Sequence, residues 1–457
     1  MIGLRTFNRM IKRTFSLHAK PVQFPPSRFA SPVPQHELVD EEACPAYNPK
    51  YVYPAKPGEI LANHYQLLVK IGWGTRSTTW LAKDIKRYIW QPDRFVALKI
   101  INNRSSLEAY HERDIEKHIS RQSPIHRGRG IIRTCLDSFE VTGPDGSHLC
   151  LAYEPMREPL WILQKRFVDR RLPLPVAKAY LLILLAGLDY LHSECRLVHT
   201  DLKLDNILMT FENEDILPNF IKEQTTNLPM QCKTNPTSGR TIYRCHNDFG
   251  SLDSRELRKM LPKIVDFGLA TRLESDSQVQ VRNETVGFHP IQPDQYRAPE
   301  VILGCPWSFS ADIWNIGVLA WNIIENTDLF LHVHDSQGHY NPKTHLAEMI
   351  ALLGPPPKEL LAKSDAMAEF SWSNPMMNET GRLCRNGREY FSGPFFNENG
   401  EFLYDDLIPA RKLADSILYL EQKERQAFLS FVTLTLAWHP GDRQTARELM
   451  EHPFLNG

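Results

Sequence analysis

The sequence has no C-x-x-C pair, no long apolar run, no excess of either charge and no internal repeat. Its eight cysteines (Cys44, Cys135, Cys150, Cys195, Cys232, Cys245, Cys305 and Cys384) are scattered along the chain. That excludes a disulfide framework and fits a reducing compartment. Cys245-His246 with Cys232 upstream lacks zinc-ligand spacing and reads as loop residues. A formal charge of −1 argues against wholesale binding to nucleic acid, which needs a basic excess. The apolar stretch YLLILLAGLDYL, Tyr180 to Leu191, falls short of the roughly 18–20 residues that cross a bilayer and contains Asp189. A soluble chain without membrane attachment is therefore expected.

What is present supports a large folded body. Hydrophobic residues make up 42% and charged residues 23% of the 457, enough for a real core. That length suits two or three ordinary domains or one large two-lobed one. The first 36 residues carry Arg5, Arg9, Lys12, Arg13, Lys20 and Arg28, with no acid before Glu37 and with Ile2, Phe7, Met10, Ile11 and Phe15 among the bases. Two readings stand side by side: a mitochondrial presequence, which means import, or a disordered basic leader on a protein of the cytoplasm or nucleus. A Pro-rich stretch follows, and Pro45, Pro49, Pro54 and Pro57 keep the chain extended. Residues 1–58 thus form a leader and an extended segment.

From Tyr65 to Ile101 the chain reads as short strands: YQLLVKIG, STTWLAKD and FVALKI. Helical patterns come next: SLEAYHERDIEKHIS, VAKAYLLILLAGLDYLHS and ADIWNIGVLAWNIIEN. Strands followed by helices predict an α+β fold with a small β-rich lobe, residues 59–155, and a larger α-rich lobe, residues 156–457. Residues 210–259 interrupt the second lobe with a polar run rich in Asn, Thr and Pro, read as an irregular insertion.

The chemistry lies in a few short motifs. KIGWGTRSTTWLA sets Gly72 and Gly74 between two strands, where bare backbone can approach phosphate oxygens. FVALKII places Lys99 on an apolar strand, a costly position unless its amine meets water or a counter-charge. Glu112 is the preferred partner, because it shares the inward helical stripe of Ile115 and Ile119; Glu108 and Glu116, one turn away, are the alternatives. LVHTDLKLDN offers Asp201 to take a hydroxyl proton, Lys203 to neutralise a transferring phosphoryl group and Asn206 to ligate a metal. Asp266 in KIVDFGLA supplies the second metal position.

On these motifs the sequence resembles the eukaryotic protein kinases from about Tyr65 to Leu455. HLAEMIALLGPPP is similar to the insert of the CMGC group. GWG, STTWLAKD, HLCLAYEPM, IQPDQYRAPEVILG and the H-T-D spelling look like the SR-protein kinases, in a fungal-type variant. The resemblance implies a two-lobed kinase fold and a monomeric, ATP- and Mg2+-dependent serine/threonine protein kinase. Its protein substrates would be Arg-Ser-rich or splicing-related. It implies ATP contacts from Ile71, Gly72, Trp73, Gly74, Thr75, Arg76, Ser77, Thr78 and Thr79, with Lys99 and Glu112. Tyr153 would be the gatekeeper, and the backbone at Glu154 and Met156 would hold adenine. It further implies a structural Glu300–Arg443 pair and support of the catalytic loop by Asp312.

Thr200 stands where most kinases carry the arginine that pairs with an activation-segment phosphate. A phosphate on Ser275, Ser277 or Thr285 would lack that partner, so constitutive activity is expected. HYNPKTHLAEM departs from the SR-protein kinases, since Pro342, Lys343 and Thr344 replace the acids that dock Arg-Ser peptides. The rival reading is a pseudokinase scaffold, on the strength of Arg76, Ser77, Thr79 and Thr200; the intact base and metal set speaks against it.

Overall fold

The strand-rich segment forms hairpins because its apolar runs are broken by short polar turns. In the computed structural model, β1 (Ile60–Leu61), β2 (Tyr65–Trp73), β3 (Ser77–Asp84), β4 (Phe95–Ile101), β5 (Asp137–Gly143) and β6 (Gly146–Tyr153) make one antiparallel sheet of order β1-β2-β3-β4-β6-β5. The structure describes residues 18–24, 32–44, 47–226, 230–253, 255–273, 280–281 and 284–457. Most of the basic leader, with Ser275 and Ser277, lies outside the described residues, as does the Thr285 side chain. The chain divides into two compact units that interleave along the sequence. The smaller takes the residues up to 106 with 136–155 and 218–247, and the larger takes 107–135, 156–217 and 248–457.

In the smaller unit, Leu67, Leu68 and Val69 are consecutive and all buried, so β2 is covered on both faces. Part of that cover comes from the insertion that the sequence reading left irregular. It contains α4 (Ile216–Thr226) and a hairpin of β9 (Cys232–Thr234) and β10 (Thr241–Tyr243). The hairpin turn is built by Asn235, whose side chain accepts from the Thr237 and Ser238 amides, and by Gly239 at φ 67°. Three-residue strands are too short to display alternation, which is why composition alone reads them as loop.

Lys70 ties these pieces together. Only 1% exposed, its ammonium lies 3.0 Å from Asp40 Oδ2, bonds Glu41 and donates to the Tyr243 carbonyl at 2.8 Å. Its amide donates to Met230 Sδ and its carbonyl accepts from the His246 amide. These backbone groups lie beyond the short pairing of β1, which reaches only Tyr65 and Gln66 of β2. Lys233 repeats the arrangement, bonding Glu42 and the Glu37 carbonyl.

The larger unit is built on helices whose apolar residues recur with helical spacing. In α3 (Leu174–Ser193), Leu181, Leu184, Leu185 and Leu188 are buried as i, i+3, i+4 and i+7. At 20 residues this helix is long and apolar enough to cross a membrane, more than the uninterrupted-run criterion credited. It is instead a core element, and its Asp189 meets Arg447 at 3.1 Å and His126 at 3.3 Å. Around it lie α1 (Ser106–Arg121), α2 (Leu160–Lys165), α5 (Pro299–Ile302) and α6 (Ser310–Glu325), the last buried almost throughout with Trp314 and Trp321. Ile115 and Ile119 of α1 join this core, which draws residues 107–135 into the larger unit. Arg157 pairs with Glu212 at 2.8 Å and donates to the Gly250 carbonyl at 2.9 Å, fixing both ends of the insertion.

Removing Lys70 strands two carboxylates without their cation. Lys70→Met is expected to destabilise the smaller unit by about 3–5 kcal/mol, measured by urea unfolding. Burial pushes the Glu41 carboxyl above the usual carboxylate range, while Lys70 pulls it back. A carboxyl raised in the folded state contributes stability fully below its unfolded pKa and loses it as pH rises through the folded value. The Lys70→Met deficit should therefore shrink as pH is lowered from 7 toward 5.

Candidate active site

The catalytic-loop residues converge in the larger unit. Asp201 Oδ1 and Oδ2 lie 3.0 and 3.1 Å from Lys203 Nζ. Asn206 Nδ2 donates to the Asp201 carbonyl at 2.9 Å and to Asp201 Oδ2 at 2.8 Å. Both amide protons are thereby used, leaving Asn206 Oδ1 an oxygen of the kind a hard cation takes. The Asn206 carbonyl accepts from the Val265 amide, and β8 (Ile207–Met209) pairs with β11 (Pro262–Ile264), which leads to Asp266. Asp266 is exposed and sits at φ 68°, a left-handed conformation that a non-glycine residue adopts only under constraint. Two protein oxygens, on Asn206 and Asp266, suit a magnesium ion that completes its shell with phosphate and water oxygens.

The loop is held from below by Asp312 of α6, fully buried. Its Oδ2 accepts from the His199 amide at 2.7 Å and its Oδ1 from the Thr200 amide at 3.0 Å. His192 Nε2 lies 2.9 Å from the same Oδ2, a partner the sequence reading missed. His199 in turn reaches the Val265 carbonyl at 3.1 Å and meets the Phe267 ring edge-on at 5.0 Å.

Among the three glutamates of α1, the geometry separates the candidates. Glu108 is exposed, and Glu116 is buried with its carboxylate accepting from the Cys135 amide. Glu112 is buried, and a Cβ built on Gly268 would stand 3.8 Å from Glu112 Oε2 and 3.5 Å from Asp266 Oδ1. Both carboxylates therefore flank the Asp266-Phe267-Gly268 turn. His111 Nε2, also missed, lies 2.9 Å from the Ala270 carbonyl.

In the smaller unit, Ile71 to Thr79 span the end of β2, the turn at residues 74–76 and the start of β3. Gly74 donates to the Ser77 carbonyl, and the Asn102 side chain donates to the Thr75 carbonyl at 3.1 Å. Thr75 and Arg76 are exposed, Thr78 is buried, and Trp73 stays 45% exposed. Lys99 of β4 stands between Thr79 of β3 and Leu151 of β6. Tyr153 is buried opposite Ala97 and Glu154 is exposed, while Met156 is buried in the larger unit.

The segment after the catalytic turn ends in a rigid fixture. Arg443 pairs with Glu300 through two 2.7 Å bonds, both side chains wholly buried. Arg297 bonds Asp294 at 3.0 Å and stacks over Tyr340 at 4.1 Å. Beside it lies a cavity of about 510 Å3 whose lining includes Asp335, Glu379, His339 and Lys343. The Lys343 ammonium lies 4.3 Å over the Tyr404 ring at the start of α7 (Pro342–Leu353).

A model of the protein kinase domain matches residues 65–222 and 252–455. The chain belongs to the protein kinase family. A serine/threonine protein kinase of Aspergillus fumigatus is 33% identical over 425 residues, covering 91% of each chain. The serine/threonine-protein kinase SRPK of Physarum polycephalum is 29% identical over 438 residues, again 91% of each. Human SRSF protein kinase 3 is 22% identical over 565 residues, covering 93% of this chain and 94% of that one. A crystal structure of a kinase domain superposes with a TM-score of 0.57 at 23% identity, covering 89% of this chain and 99% of that one, and bears out the two-lobed α+β kinase fold. The gap in the family match, residues 223–251, falls inside the insertion. The chain is a serine/threonine protein kinase like the SR-protein kinases, a type that transfers phosphate from ATP to proteins.

Asp312→Ala leaves the His199 and Thr200 amides buried without an acceptor. It should cost about 3 kcal/mol or more of stability in chemical denaturation. Phosphoryl transfer should slow at least tenfold, a loss of about 1.4 kcal/mol in the barrier. Asp312→Asn, which keeps one acceptor oxygen, should fall between the two proteins in both measurements.

Proposed function

We propose that Asp201 is the residue that receives the substrate hydroxyl proton. The Ser or Thr oxygen bonds to the γ-phosphorus as the bond to the β-phosphate oxygen breaks, releasing ADP. The observation that carries this reading is the Asp201–Lys203–Asn206 cluster: one carboxylate held by an ammonium and an amide, on a loop braced by Asp312. Lys203 offsets charge on the moving phosphoryl group. Asn206 and Asp266 would hold magnesium, which when bound neutralises phosphate charge. Lys99 and Glu112 act as the phosphate-positioning pair. The Ile71–Thr79 segment covers the phosphates, and the backbone at Glu154 and Met156 holds adenine.

The substrates we infer are Arg-Ser-containing proteins, supported by the names of the SRPK and SRSF-kinase relatives. Their docking is weaker than an acidic groove would give. The cavity beside α7 offers Asp335 and Glu379 against Lys343 and His339, so an arginine-rich strand meets both signs. We also infer activity without activation-segment phosphorylation, a monomeric state, and a place in the cytoplasm or nucleus. Import into mitochondria is the rival, and the N-terminal residue of the native protein decides between them.

Asp201→Ala should abolish transfer to an Arg-Ser peptide while leaving ATP binding within about twofold, since the hydroxyl's proton acceptor is lost and the nucleotide's ligands are not. A purified chain inactive on Arg-Ser and on basic peptides would overturn the substrate reading. Lys343→Glu should lower KM for an Arg-Ser peptide several-fold at low salt and leave kcat alone, because it adds attraction at a distance from the reacting atoms.

A further inference from the structure

Thr200 sits in a conformation that suits it badly. Its φ is 67°, and a β-branched residue pays more for the left-handed region than glycine or asparagine would. The residue is only 1% exposed, and its amide is fixed by Asp312. With the backbone so pinned, the side chain turns inward, and Oγ1 donates to the Leu269 carbonyl at 2.8 Å. The other hydroxyl near that carbonyl, Thr271 Oγ1, is at 3.5 Å, the outer limit for such a bond. Leu269 directly follows the Asp266-Phe267-Gly268 turn, so this bond joins the catalytic loop to the far side of that turn, as the His199–Val265 bond joins it to the near side.

The neighbouring contacts run the same way. Strand β7 (Leu197–Val198) pairs with β12 (Thr271–Arg272), and the Leu273 amide donates to the Arg196 carbonyl. The Ala270 amide donates to the Phe267 carbonyl. Residues 265–273 are thus bound to residues 196–200 at these points by backbone hydrogen bonds and by two side chains, the His199 ring on the Val265 carbonyl and the Thr200 hydroxyl on the Leu269 carbonyl.

We propose that the Thr200 hydroxyl is a positioning group that locks residues 266–270 onto the catalytic loop without a phosphate. This rests on the kinase reading above, and it assigns to Thr200 a task beyond the mere lack of an arginine. The side chain touches neither substrate nor metal and acts through the Leu269 backbone.

The test compares Thr200→Val with Thr200→Ser in the full chain after phosphatase treatment. Valine keeps the shape and the β-branching, hence the backbone cost, and removes only the hydroxyl. Thr200→Val should lower kcat about tenfold with KM for the Arg-Ser peptide unchanged, and should speed amide exchange across residues 267–273. Thr200→Ser should recover most of both. Wild-type kcat and exchange in Thr200→Val would overturn the proposal, as would a Thr200→Ser variant as impaired as the valine one. If the parent chain transfers no phosphate, the kinase reading fails, and amide exchange alone still decides whether the hydroxyl locks the segment. Should Thr200→Val fold poorly, Thr200→Ala supplies the same comparison of exchange against serine.

Discussion

The Asp312 carboxylate is the constraint on which the catalytic unit depends. Two consecutive amides, of His199 and Thr200, point at one buried anion, whereas a strand directs adjacent N–H groups to opposite sides. The loop is therefore forced out of repeating structure, and Thr200 takes up the left-handed turn that results. From that turn Asp201 follows with its carboxylate facing Lys203 and Asn206. A buried carboxylate is costly unless its lone pairs are filled; here two amides and His192 fill them. The site's geometry thus follows from the need to satisfy one charge on the core helix α6.

Buried ions recur elsewhere with a different outcome. Arg157 with Glu212, and Lys70 with Asp40 and Glu41, join stretches of chain far apart in sequence. Burying such pairs gains little net stability over apolar packing, but breaking one is expensive. Their effect is to fix register. Arg157 clamps the ends of the insertion, and Lys70 fixes its hairpin on β2, two residues before Gly72. A polar segment with few apolar anchors beyond Phe220, Ile221 and Met230 acquires a defined place through ion pairs and hydrogen bonds to backbone atoms.

That division also explains what could be read from the sequence. Asp201, Lys203, Asn206 and Asp266 stand out because the phosphoryl-transfer roles proposed for them call for such groups at fixed spacings, and spacing survives in a string of letters. Glu112 is legible because Ile115 and Ile119 declare which face of α1 is buried, and Glu116 then finds its own amide partner. The insertion is not legible as structure, because Lys70 pairs with Asp40 across 30 residues and with Tyr243 across 173. No local pattern carries such a pairing. His192 and His111 escaped for the same reason: each bonds a group more than 100 residues away.

Thr200 marks the border between the two kinds of information. As a letter it announces only a missing arginine, and with it a missing means of reading a phosphate. In three dimensions the same residue meets the Leu269 carbonyl from a backbone position that threonine adopts reluctantly. An arginine needs a phosphate before it can order the segment ahead of it, so its contribution is conditional. A hydroxyl bonded to a main-chain carbonyl needs nothing added, and its contribution is permanent. On the reading proposed above, exchanging one for the other trades a switch for a fixture and leaves Asp201 beside it untouched.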